Sequence, residues 1–219
     1  MKNTKIWIRT HWRGVLLNTL GVVALLGLLK LPRASEFSGV SEPMIAAGIW
    51  AARFLLITLA ITPLNTVFGW RSLLRLRRTA GLWTFAFAAL HFAYYVLDSK
   101  SWAAYPIPNL AAGIGLAALL ILTALAVTST NAGQRRLGKW WTRLHKLVYA
   151  AGVLGLAHGL LETGHKFVAM NQPKAANEIW AYLALLAALL ALRIPLVRKH
   201  MATLRHRPRL FPRRSVRAH

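Results

Sequence analysis

Six apolar stretches alternate with short polar loops along this 219-residue chain. A helix crosses the hydrocarbon core of a bilayer with about 20 residues. The pattern predicts spans over Val15–Leu31, Met44–Phe68, Arg77–Leu97, Leu110–Thr130, Leu144–Leu161 and Ile179–Val197. The second carries Pro63 near one end and Trp50 near the other. The fourth and sixth are Ala/Leu-rich with no ionisable residue at their centres, which suits scaffold. The loops are too short for another folded domain. The chain therefore reads as an all-α integral membrane protein with three parts. These are an N-terminal segment over 1–14, a six-helix transmembrane domain over 15–197 and a basic tail over 198–219. No internal repeat is visible beyond the Ala/Leu-rich low complexity.

The loops then orient the spans. Residues 1–14, 69–78, 130–146 and 193–219 hold 22 of the 28 Lys/Arg and no acidic residue. The alternate loops hold all five acids, Glu36, Glu42, Asp98, Glu162 and Glu178. Positively charged loops are retained in the cytoplasm, so both termini are expected inside. Trp7, Trp12, Trp70, Trp102, Trp140, Trp141 and Trp180 fall near span ends, where indoles favour the interface. The basic start and apolar run resemble a signal peptide, but the run is long and Pro32-Arg33-Ala34 makes a poor cleavage site. It reads as a retained first helix.

A net charge of +23 would suggest nucleic acid in a soluble chain. Here the cations flank apolar runs, where anionic lipid headgroups are the nearer partner. The absence of cysteine excludes disulfides, thiolate metal sites and cysteine nucleophiles. No G-x-G-x-x-G, P-loop or βαβ pattern is present, so redox chemistry needs a bound cofactor.

Ionisable side chains inside a bilayer are costly and mark function. Three histidines qualify: His91, His145 and His158. His91 lies 14 residues beyond Arg77, and His158 lies 14 beyond Leu144, at matching span starts. Both spans run outward, so these two imidazoles share the outer level and suit one iron clamped between adjacent helices. His145 lies 13 residues before His158, about 20 Å deeper toward the inner face. Thirteen steps leave about 140° of rotation, so His145 and His158 do not share a face of a straight helix. Stacked haems at two levels fit this spacing; an interhelical hydrogen bond or a proton path is the plainer reading of any one histidine.

Arg77 lies about 40° from the face of His91. It suits either contact with an inner haem or a topology charge that snorkels to the interface. Arg53, inside the second span, calls for an anionic partner, a haem propionate or Glu162. His11, His165, His200, His206 and His219 read as solvated, with His165 near the outer level. A transporter using its histidines as a proton relay would show the same residues.

Several short motifs then resemble the MsrQ (YedZ) family of bacterial inner-membrane haem proteins. They are Leu59-Ala60-Ile61-Thr62-Pro63-Leu64, Arg77-Arg78-Thr79-Ala80-Gly81-Leu82-Trp83 with Leu90-His91, Thr128-Ser129-Thr130-Asn131-Ala132, and Arg143-Leu144-His145-Lys146-Leu147-Val148-Tyr149 closed by His158. That family belongs to the ferric reductase-like transmembrane superfamily. The resemblance implies a haem-binding bundle with His91, His145 and His158 as haem histidines. Arg77 stands where the wider superfamily has a fourth histidine. It further implies b-type haem, FMN as an additional cofactor, and a cytosolic flavin reductase or the quinone pool as donor. The acceptor implied is a periplasmic molybdenum-cofactor reductase, MsrP, which repairs methionine sulfoxide. A stand-alone ferric or quinone reductase is the alternative within redox proteins.

Overall fold

The computed structural model describes residues 2–30, 42–97, 110–166, 173–194 and 197. Every regular element among them is helical. In chain order they are α1 (Lys2–Leu29), α2 (Glu42–Phe68), a 3-10 turn (Arg71–Arg75), α3 (Leu76–Leu97), α4 (Leu110–Val127), α5 (Asn131–Leu137), α6 (Lys139–Leu144), a second 3-10 turn (His145–Leu147), α7 (Val148–Lys166) and α8 (Pro173–Ala191).

Five segments are long and apolar enough to cross a membrane: Trp12–Leu29, Glu42–Phe68, Arg71–Leu97, Leu110–Val127 and Lys139–Glu162. The expected sixth differs in register. Helix α8 starts and stops earlier than Ile179–Val197, and its apolar part, Glu178–Ala191, is short for a crossing. The N-terminal segment expected as a lead-in is already helical from Lys2. The fourth helix ends at Val127 because Thr130 caps the next one, its side chain accepting from Gly133 N at 2.9 Å. The tail over 198–219, with His200, His206 and His219, lies outside the described residues, as do Glu36, Asp98, and the side chains of His11 and His165.

Two clusters hold the bundle. Phe54 and Phe87 are fully buried between α2 and α3, with Trp50 and Trp83 packed around them at centroid distances of 5.7–6.2 Å. Helix α1 docks here through Ala24 and Leu28, and Trp83 Nε1 donates to Asn18 Oδ1 at 3.0 Å. The second cluster joins α2, α4, α7 and α8 through Leu55, Leu59, Leu125, Val148, Leu156 and Leu186. Large apolar side chains remain on the outside, among them Val23, Leu26, Leu116 and Leu120. Lipid tails match such a face; water does not. Two buried hydroxyls close on their own helices: Thr58 donates to Phe54 O at 2.8 Å and Thr84 to Ala80 O at 3.0 Å. That satisfies a polar group where no water is at hand.

Pro63 interrupts α2 and leaves the Leu59 carbonyl without its helical donor. Arg193, just past α8, fills the gap: its Nη2 donates to Leu59 O at 2.6 Å and its Nη1 to the Tyr149 hydroxyl. The guanidinium also lies over the Tyr149 ring, 4.5 Å from its centroid. One arginine thus ties α2, α7 and the end of α8 together.

Candidate functional site

The geometry of the outer level follows from two helical hairpins, α2–α3 and α4–α7. His91 projects from α3 and His158 from α7, and their rings lie with centroids 6.0 Å apart and planes inclined at 73°. Two metal–imidazole bonds of about 2 Å each, plus the two rings, span about this distance. The expectation that these residues share one level is met by contact.

Their partners decide their chemistry. His91 Nδ1 lies 2.8 Å from Met44 O, and His158 Nδ1 lies 2.8 Å from Ala111 O. A carbonyl only accepts, so each Nδ1 carries a proton, and in the neutral imidazole that leaves the Nε2 lone pair free. A ring held in this way is prepared to ligate a metal through Nε2. Among the described residues no cluster of three or more His, Cys, Asp or Glu could hold a bare ion. The paired histidines instead suit a metal whose remaining ligands come with it, as in haem.

The two hairpins repeat one another. From Met44 to Ala111, Gly48 to Gly115 and His91 to His158 the step is the same 67 residues. The correspondence lies in positions facing one centre, while the residue types around them differ, so the sequence itself shows no repeat. The same step carries Arg78 onto His145. Arg78, which sequence reasoning passed over in favour of Arg77, is therefore the positional counterpart of the inner histidine.

At the inner level a cavity of about 550 Å³ opens between α2, α3, α4 and the α6–α7 junction. Arg75, Arg77, Arg78, Lys146, Ser129 and His145 are among its lining. The volume falls in the about 300–1,000 Å³ range of cofactor sites. His145 stacks on Trp141 with centroids 4.0 Å apart. Its Nδ1 lies 3.1 Å from Trp141 O and its Nε2 3.5 Å from Ser129 Oγ. Trp141 is itself fixed, its Nε1 donating to Thr128 O at 3.0 Å. The 3-10 turn at His145–Leu147 eases the phase problem. A 3-10 residue turns about 120° and an α residue about 100°, so three of them recover about 60° of the mismatch with His158.

Arg53 reaches protein partners. Its Nε donates to Tyr182 Oη at 2.8 Å, its Nη2 lies 3.5 Å from Glu178, and its guanidinium lies 4.9 Å from the Trp50 centroid. An acid was expected, with Glu162 named; the ion pair is with Glu178. The contacts of Tyr182, Tyr149 and Arg193 carried no sequence signal, because they join helices far apart in the chain.

Comparison with known proteins gives a consistent picture. The family described as Ferric reductase like transmembrane component matches residues 47–156. A protein of Xanthomonas euvesicatoria pv. vesicatoria is 42% identical over 124 residues, 54% of this chain and 57% of its own length. One of Rhizobium meliloti is 41% identical over 153 residues, covering 67% and 65%. One of Ralstonia nicotianae is 38% identical over 157 residues, covering 68% of each. All three are named protein-methionine-sulfoxide reductase heme-binding subunit MsrQ. The chain spans little more than half the length of the Xanthomonas relative. No solved structure matches.

Proposed function

This chain belongs to the MsrQ family of ferric reductase-like transmembrane components, and on that premise we propose that it is a membrane haem b subunit carrying electrons to a methionine sulfoxide reductase. The observation that carries the proposal is the His91–His158 pair, with both Nδ1 atoms engaged by backbone carbonyls. His91 and His158 would hold the outer haem. His145 would hold an inner one, with Arg77 or Arg78 toward its propionates. Haem b, when bound, supplies one-electron transfer. The chain's own residues orient the imidazoles, exclude water with the apolar bundle and place cations around the inner cavity. FMN is the other cofactor the family implies, and the same cations suit its phosphate.

The proposed setting is the bacterial inner membrane, with six spans and both termini in the cytoplasm. Electrons enter from a cytosolic flavin reductase or the quinone pool. They leave to a periplasmic MsrP-like molybdenum-cofactor reductase, where a sulfoxide takes up two electrons and two protons to give a thioether and water. The full chain, purified and assayed for haem, tests this. Reduced flavin reductase or quinol should reduce its haem, and added MsrP-like reductase with methionine sulfoxide should reoxidise it. A preparation without haem, or one whose haem no such donor reduces, would refute the reading.

A further inference from the structure

Each imidazole of the outer pair stands over a glycine of the neighbouring helix. A Cβ on Gly115 would lie 2.9 Å from His158 Nδ1, 3.0 Å from Cε1 and 3.1 Å from Cγ. A Cβ on Gly48 would lie 3.1 Å from His91 Nδ1, 3.4 Å from Cε1 and 3.7 Å from Cγ. In both hairpins the encroachment falls on the Nδ1 edge, the edge that donates to a carbonyl four residues earlier on the same helix. The glycine and the carbonyl are one turn apart and form one seat. Neither glycine has a positive φ, so backbone freedom does not account for them. Gly113 and Gly155, in the same helices as Gly115 and His158, would meet nothing within 4 Å.

We propose that Gly48 and Gly115 are positioning residues for the metal-ligating imidazoles. Each leaves the space in which a ring settles with Nδ1–H on the carbonyl and Nε2 available to the shared centre. This rests on the reading of His91 and His158 as ligands. A side chain at either glycine lifts the ring, stretches the Nδ1–H bond and spoils the direction of Nε2. Loss of such an outer-shell hydrogen bond weakens metal-site affinity by about 10–100-fold. The effect is graded, because the Gly115 seat is the tighter of the two.

The test uses the full chain with Gly48→Ala, Gly115→Ala, Gly113→Ala and Gly155→Ala. The readouts are the low-spin spectrum of the outer haem, its midpoint potential and the titration of haem into apoprotein. Gly115→Ala should lose the low-spin component or bind outer haem at least about tenfold more weakly. Gly48→Ala should show a smaller shift in the same direction, and Gly113→Ala and Gly155→Ala should match wild type. Should Gly115→Ala fail to accumulate, the same substitution in a His158→Ala background decides, since the ring it crowds is gone. There Gly115→Ala should cost nothing further, as a double-mutant cycle requires of a contact between two residues. Wild-type spectrum, potential and affinity in Gly115→Ala would overturn the proposal, as would undiminished damage in the His158→Ala background. Retention of the outer component by His158→Ala alone would instead refute ligation by that histidine.

Discussion

An imidazole donates through one nitrogen and ligates through the other, so the partner of Nδ1 decides what Nε2 can do. At His91 and His158 that partner is a backbone carbonyl of another helix, which a side-chain substitution cannot delete. The sequence shows the two histidines and their common depth, because depth in a helix is a count along the chain. It does not show Met44 O, Ala111 O, Gly48 or Gly115 as their neighbours, because those contacts depend on how two helices approach. Arg53 illustrates the same limit. Its place inside a span demanded an anion, yet which one was a matter of packing, and Glu178 with Tyr182 met the demand. Partners that are protein groups predict that Arg53→Gln leaves the haem spectrum and midpoint potential unchanged. A shifted potential in that variant would indicate contact with a propionate.

Helix interruptions place the inner site. The 3-10 turn at His145 takes up part of the rotation between His145 and His158, and no sequence period announces a three-residue change of pitch. Pro63, in contrast, was legible as a break, although its consequence was not. The proline removes a donor, and Arg193 replaces it at the Leu59 carbonyl. Arg193→Met should therefore lower thermal stability by about 1–3 kcal/mol, the cost of an unsatisfied buried acceptor. Pro63→Ala restores an N–H in register with Leu59. The combination Pro63→Ala with Arg193→Met should accordingly lose less than the sum of the single changes, as read by thermal denaturation in detergent. Strict additivity would show that the arginine does not substitute for the missing helical bond.

At the scale of the whole molecule, apolar length and loop charge made the membrane architecture readable. Five of the six expected segments are helices long and apolar enough to cross a membrane. The sixth helix was displaced because Pro173–Ala191 draws polar residues into its first turns, which a hydropathy boundary at Ile179 excludes. The asymmetry of the loops predicts that a reporter fused after His219 is active only in the cytoplasm; a periplasmic signal would invert every loop. The same asymmetry groups Arg71, Arg75, Arg78, Arg135, Arg136 and Lys139 in the loops proposed to face the cytoplasm, the side proposed for the electron donor. The central claim is that two histidines, 67 residues apart on two repeated hairpins, serve one metal. Reduced-minus-oxidised spectra of His91→Ala and His158→Ala, set beside wild type at known haem content, test it most directly. Both variants should lose the same spectral component and keep the inner one. Loss of different components, or of none, would contradict the account.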